Sequence, residues 1–160
     1  MPDISRRTLF SLLGAPLLLA ACSGRRERKR VAQAEPPLYP NETPELRRLI
    51  NKYADLHEVP RALVHRQIIR ESTHRPWAIS RPYYGLMQIL PATARSMGFR
   101  GRPNDLLDAE TNLKYAVKYL RGAWLISDGS FDTAVKHYSR GYYYEAKRRG
   151  MLVETGLRPD

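Results

Sequence analysis

A single acidic residue stands in an aromatic and apolar stretch of the chain, where it could act as a proton donor. The stretch covers residues 68 to 89 and reads IIRESTHRPWAISRPYYGLMQI, in which Glu71 is the one Asp or Glu. The nearest acids along the chain are Glu58 and Asp105. Burial without a charged partner raises the pKa of a carboxyl group, which is what a general acid near neutral pH requires. Glu71 is therefore the first candidate for a catalytic residue.

The element that positions Glu71 is predicted to be a helix that begins at Pro60. Its buried stripe follows the helical period and consists of Leu63, Val64, Gln67, Ile68 and Glu71. Pro76 follows closely and prevents the helix from continuing. Glu71 thus lies at the C-terminal end of the helix, where the helix dipole disfavours a negative charge and adds to the rise in pKa.

The rest of the domain also has helical periodicity. Helices are predicted from Pro44 to about residue 57, from Pro91 to about residue 97, from about residue 108 to before Asp128, from Asp132 to before Gly141, and from about residue 142 to residue 149. Residues 100 to 104 are expected to form a loop. No stretch alternates convincingly as a strand. We predict an all-α fold of about six helices, and we allow for a small β element near residues 78–90.

The first 21 residues are predicted to be a signal peptide. Arg6 and Arg7 precede an apolar run, residues 9 to 21, which is too short and too interrupted by Gly14 and Pro16 to span a membrane as a stable helix. Residues 5 to 10 also resemble a twin-arginine export signal. Residues 19 to 22 read LAAC and resemble the bacterial lipobox, so we predict lipidation at Cys22. An ordinary signal peptide with a nearby cysteine is the alternative.

Residues 22–43 are predicted to be a basic, proline-rich tether, followed by a catalytic domain in residues 44–160. The net charge of +11 favours an acidic partner, which could be nucleic acid, anionic lipid or an anionic wall polymer. An export signal argues against nucleic acid. We expect a monomer on the periplasmic side of the cell envelope, anchored by lipid. Ser23 after the cysteine favours the outer membrane.

Four motifs follow one another along the domain. They are Glu71-Ser72 with Pro76 and Ala78-Ile79-Ser80; Gly85-Leu86-Met87-Gln88-Ile89 with Pro91, Thr93 and Ala94; Asn112 with Tyr119 and Leu120; and Ala134 with Tyr138 and Gly141. This series resembles the lysozyme-like catalytic domain of lytic transglycosylases of the soluble-transglycosylase type. The sequence departs from the family at Tyr83-Tyr84, where small residues are common, and at Ser139, where Asn is usual.

The resemblance implies an enzyme that cleaves bacterial peptidoglycan with Glu71 as acid and then as base. It implies substrate contacts for Ser72, Tyr84, Met87, Gln88 and Tyr138. Two of these have an equally good structural interpretation, because Ser72 could cap the helix end and Met87 could belong to the core. Of the tyrosines at positions 83, 84, 142, 143 and 144, we expect some to stack on sugar faces and others to pack.

No cofactor and no metal are predicted. The four histidines have no metal-ligand spacing in the sequence, and His74 is expected at the surface. Two other functions stay open. A goose-type lysozyme-like hydrolase would use Glu71 with a water molecule, and a non-catalytic module would only bind peptidoglycan. The intact motifs around Glu71 and Gln88 argue against the second of these.

Overall fold

The computed structural model describes residues 36–158, which contain six α-helices and a two-stranded sheet. The elements are α1 (Pro44–Leu56), α2 (Arg61–Glu71), β1 (Ile79–Ser80), β2 (Tyr83–Tyr84), α3 (Pro91–Ser96), a 3₁₀-helix (Pro103–Leu107), α4 (Ala109–Leu125), α5 (Phe131–Arg140) and α6 (Tyr143–Arg148). The mostly helical fold with a small β element is confirmed. Within this range, no helix has the length and apolar character needed to cross a membrane.

Local sequence signals explain where the helices begin. The Thr43 hydroxyl accepts a hydrogen bond from the Leu46 amide at 3.1 Å, and the Asp108 carboxylate accepts one from the Thr111 amide at 2.8 Å. Each cap satisfies a backbone N–H group that the first turn leaves unpaired. The 3₁₀-helix was not predicted, because one short turn has no apolar period that the sequence could reveal.

Helix α4 lies at the centre of the core. It packs against α1, α3, α5 and the 3₁₀-helix. Its inward side chains Leu113, Ala116, Val117 and Leu120 are completely buried. Burial of this apolar stripe is the main force that holds the surrounding helices in place.

A short hairpin follows α2 and leads to the loop before α3. Its strands are antiparallel, with Ser80 opposite Tyr83, and Tyr84 forms a further bridge with Ile89. Gly85 has a φ of +74°, and a Cβ atom there would lie 2.2 Å from the Leu106 carbonyl oxygen. This loop can therefore approach the 3₁₀-helix only with glycine at position 85.

The residues just before α1 are part of the folded unit. The Tyr39 ring stacks on His74 at 5.1 Å, the Asn41 side chain donates a hydrogen bond to the Thr73 carbonyl at 3.0 Å, and Glu42 is buried. The predicted boundary between tether and domain, after residue 43, falls inside this packed segment. Cys22 and the predicted signal peptide in residues 1–21 lie outside the described residues.

Candidate functional site

A groove runs along the C-terminal end of α2. Its larger part is a cavity of about 440 Å³, lined by Arg70, Glu71, Ser80, Tyr83, Gln88, Tyr138 and Ser139. A second cavity of about 280 Å³ shares four of these residues and continues past Thr93, Tyr119, Arg140 and Gly141. The groove is therefore built from α2, the hairpin, the loop before α3, and α5. Its lining is polar and aromatic, as a carbohydrate site requires.

Glu71 is the last residue of α2, and its side chain is 20% exposed. Burial raises the pKa of the Glu71 carboxyl group above its usual value, although the Arg70 charge and a hydrogen bond from Gln67 oppose the rise. The Arg70 Nε atom stands 3.9 Å from Glu71 Oε1, and Gln67 Nε2 donates to the same oxygen at 2.6 Å. Of the described residues that line this cavity, Glu71 is the only acid.

Gln88 lines both cavities and has a constrained geometry. Its backbone φ is +46°, in the left-handed region that is uncommon for a residue other than glycine. Its amide nitrogen donates to the carbonyl oxygens of Ala78 at 3.0 Å and Gly85 at 2.8 Å. Its amide oxygen is buried and has no hydrogen-bond partner within residues 36–158. A buried acceptor without a partner costs free energy, and a donor that reached it would recover this cost.

Tyr138 forms the back of the groove. Its hydroxyl donates to the Met87 carbonyl oxygen at 2.9 Å, and its ring meets Tyr119 edge to face at 5.3 Å. Burial, together with the Glu71 charge, raises the pKa of the Tyr138 phenol well above its usual value. Tyr138 therefore stays neutral at physiological pH and acts as a fixed wall beside Glu71.

Three of the predicted substrate contacts lie behind the groove rather than in its lining. Ser72 is buried and donates to the Leu86 carbonyl at 2.7 Å, and Met87 is completely buried in the core. Tyr84 is buried because successive strand residues point to opposite faces, so Tyr83 lines the groove in its place. Among the predicted site residues, the structure thus brings Glu71, Gln88 and Tyr138 to the groove.

The other tyrosines fall into two groups. Tyr142 is buried, and its hydroxyl donates to the Tyr119 carbonyl at 2.8 Å. Tyr143 and Tyr144 are exposed and do not line either cavity. Of the five tyrosines, Tyr83 is therefore the one that lines the groove, and it is half exposed at the groove edge.

Asn112 holds the loop that carries Gln88. Its amide nitrogen donates to the carbonyl oxygens of Tyr84 and Leu106, each at 2.9 Å, and its amide oxygen accepts from the Met87 amide at 2.9 Å. Both the amide nitrogen and the amide oxygen of this buried side chain are therefore hydrogen-bonded. The Asn112 motif of the sequence thus supports the site without lining it.

Several groove residues were not identified from the sequence as site residues. They are the lining residues Arg70, Ser80, Tyr119 and Arg140 and, behind the lining, Gln67, which contacts Glu71. Ser139, expected from the sequence to lie at the groove as a departure from the family, does line it. For Gln67 there was a signal, because a polar residue stood on an apolar helical stripe four positions before Glu71. The others line the groove because the hairpin, α4 and α5 pack around the end of α2, which local periodicity does not reveal.

A second polar cluster lies beside the turn that follows Glu71. His74 was expected at the surface, but it is completely buried, and its Nε2 atom lies 3.2 Å from His65 Nδ1. Ligand atoms of Glu42, His65 and His74 all lie within 4.8 Å of one another. However, Arg47 donates to both carboxylate oxygens of Glu42, at 2.6 Å each, so the Glu42 charge is already balanced. A divalent cation there would add two uncompensated charges to a buried site.

Comparison with known proteins agrees with this geometry. The model of the family described as the transglycosylase SLT domain matches residues 48–148, which is more than half of the chain and includes every groove residue. No curated protein and no solved structure matches the chain. This family consists of lytic transglycosylases, enzymes that act on peptidoglycan. The chain belongs to the transglycosylase SLT domain family.

Proposed function

We propose that this protein is a lytic transglycosylase that cleaves the β-1,4 bond between N-acetylmuramic acid and N-acetylglucosamine and leaves a 1,6-anhydromuramyl end. The observation that carries the proposal is the solitary Glu71 carboxyl group in the groove, with its raised pKa. Hydrolysis by two carboxylates needs a second acid across the cavity. The described lining of the groove offers a single acid, and the transglycosylase reaction needs only one.

The reaction proceeds in two proton transfers. The protonated Glu71 gives its proton to the glycosidic oxygen, the bond from the muramic acid C1 to that oxygen breaks, and N-acetylglucosamine leaves with a free 4-hydroxyl group. The C6 hydroxyl of the muramic acid then attacks C1, and its proton returns to Glu71. The C1–O6 bond replaces the bond that was broken, so no water is consumed. The attacking group is already part of the substrate, which gives it a large effective concentration.

The groove residues fit the substrate as follows. Gln88 lines both cavities, where its side chain meets an acetamido group of the glycan. Tyr83 stacks on a sugar face at the groove edge. The side chains of Arg70 and Arg140 attract the lactyl and peptide carboxylates of the wall polymer.

We further propose that the protein is a monomer anchored by lipid at Cys22 on the periplasmic side of the envelope, most simply at the outer membrane. The LAAC motif after an apolar run supports the anchor. Five of the six residues from 25 to 30 are basic, which supports contact with anionic headgroups. Labelling of growing cells with a fatty-acid probe tests this proposal. Label should appear on the wild-type chain in the outer-membrane fraction and be absent from Cys22→Ala.

The chemistry is tested by mass spectrometry of the fragments that the full-length chain releases from purified peptidoglycan. We expect 1,6-anhydromuramyl products from the wild type and none from Glu71→Gln, whose side chain has the same shape but no transferable proton. Reducing-end products would instead identify a hydrolase that uses water. An absence of soluble fragments, together with retention of the protein on peptidoglycan, would identify a binding module.

A further inference from the structure

We propose that Gln67 is a positioning residue that holds the Glu71 carboxyl group and selects which of its oxygens carries the transferable proton. The inference rests on the proposed function of Glu71. Among the hydrogen bonds of the described residues, Glu71 is the one groove-lining residue to which Gln67 is bonded. Its effect on the substrate is therefore exerted through the Glu71 carboxyl group.

The geometry places both donors on one oxygen. Gln67 lies one helical turn before Glu71 on α2 and is completely buried. Its Nε2 atom donates to Glu71 Oε1 at 2.6 Å, and the Arg70 Nε atom is also nearest to Oε1, at 3.9 Å. An oxygen that already accepts an N–H hydrogen bond is a poor place for a proton. Oε2 is thus the oxygen that gives the proton to the glycosidic oxygen and takes one back from the C6 hydroxyl.

The same hydrogen bond adjusts the acidity of Glu71. Burial raises the pKa of this carboxyl group, and a carboxyl group with too high a pKa would be too weak an acid to protonate the glycosidic oxygen in the first step. The Gln67 amide stabilises the ionised form and so lowers the pKa toward the working range. Glu71 must give up a proton in the first step and accept one in the second, so its pKa can be neither very high nor very low.

Gln67 also lowers the stability of the fold, which favours a functional reason for its presence. Its amide oxygen is buried and has no hydrogen-bond partner in the described part of the chain. Its neighbours on the helix stripe, Val64 and Ile68, are apolar and completely buried. An apolar side chain at position 67 would match them and leave no unsatisfied acceptor.

The test compares the full-length wild type with Gln67→Met, which preserves the length of the side chain and removes both amide atoms. We expect the alkaline limb of the pH profile of kcat to move up by about one pH unit, because the ionised form of Glu71 loses its donor. We also expect kcat to fall about tenfold while KM changes little, since the carboxyl group is no longer held in position. The melting temperature should rise by about 3 °C.

Ile68→Met is the matched control, because Ile68 is equally buried on the same helix and donates nothing to Glu71. It should leave the pH profile unchanged. A Gln67→Met variant with lower activity and the same pH profile as Ile68→Met would overturn the proposal and leave Gln67 a packing residue.

A measurement that does not depend on activity separates this proposal from the proposed function. In a chain labelled with carboxyl-¹³C glutamate, the Glu71 signal is identified by its absence from Glu71→Gln and titrated by NMR. The Glu71 pKa should be higher in Gln67→Met than in the wild type. A wild type that released no anhydromuramyl products, with a Glu71 pKa still higher in Gln67→Met, would refute the proposed reaction and support the effect of Gln67 on Glu71. An unchanged pKa would refute the role of Gln67 whatever the reaction.

Discussion

Glu42 and Glu71 are two glutamates withdrawn from water in the same domain, and their pKa values move in opposite directions. The Glu42 side chain has 0% exposure, and burial alone would raise its pKa, but hydrogen bonds from Arg47 and from the Tyr39 amide bring the pKa below its usual value. Glu71 is more exposed, yet its pKa is raised. The distance to the nearest guanidinium accounts for the difference, because it is 2.6 Å for Glu42 and 3.9 Å for Glu71. Burial makes a carboxyl group sensitive to its partners, and the partners decide whether it becomes a structural anion or an acid.

The largest effect should come from removing the acid itself. Glu71→Gln should lower the rate of anhydromuramyl release about 1,000-fold, because proton transfer to the leaving oxygen is lost, and the melting temperature should change little. Glu42→Gln is the reciprocal control. It should lower stability and leave the activity of the folded fraction nearly unchanged. Equal losses of activity in the two variants would contradict the separation of roles.

Breaking the Arg47–Glu42 pair should give the largest loss of stability. Arg47→Met leaves the Glu42 carboxylate buried without its charged partner, and we expect the free energy of unfolding to fall by about 3–5 kcal/mol. Urea unfolding measures the change. Arg48→Met, one residue later and paired at the surface with Glu45, should have little effect. A similar loss in both variants would mean that helix α1, and not the buried charge, is what the substitutions disturb.

Substitution of Asn112 tests whether the groove also depends on hydrogen bonds to buried backbone groups. Asn112→Ala removes the partners of Tyr84, Leu106 and Met87, and we expect a loss of about 2–3 kcal/mol in unfolding free energy. Activity should fall as well, because the loop that carries Gln88 loses its support. Asn104→Ala changes an exposed asparagine of the 3₁₀-helix and serves as the control in the same urea titration. Unchanged stability in Asn112→Ala would show that water replaces the missing side chain.

The smallest effect concerns pH. Burial holds the pKa of His74 below its usual value, and the Arg47 charge acts in the same direction while Glu42 opposes it. As the pH falls through the ordinary range of histidine, the unfolded chain therefore binds more protons than the folded chain, so stability decreases on acidification. Glu42, with its lowered pKa, contributes a separate loss at lower pH, as it becomes protonated.

Urea unfolding at pH 7 and at pH 5.5 measures this decrease, and NMR titration of the histidine rings assigns it. The ring of His74 should titrate at a lower pH in the folded chain than in the unfolded chain. His57 and His137 have pKa values lowered in the same direction, and His65 lies against His74, so the titration must distinguish all four histidine rings. If the His74 ring titrated at the ordinary pH of a histidine, His74 could not be the cause of the loss of stability.

The sequence by itself determined the helices and the position of the acid. Caps such as Thr43 and Asp108, the prolines at helix starts and the apolar stripes act within a few residues, and the observed helices begin and end close to the predicted positions. The motif series also led to the family that the comparison established. The catalytic role of Glu71 stays a prediction that the Glu71→Gln experiment decides.

The tertiary structure decided which polar residues meet. That Tyr83 and not Tyr84 lines the groove depends on the register of a hairpin of two-residue strands, which has no periodicity to read. That Ser72 and Met87 support the groove from behind, and that His74 stacks under Tyr39, depends on contacts between segments distant in the chain. Local propensity determines a helix because its hydrogen bonds are local. Burial and the partners of a buried carboxyl group are set by the packing of the whole domain. Burial raises the pKa of Glu71 against weak opposition from its partners, whereas the partners of Glu42 outweigh burial and lower its pKa.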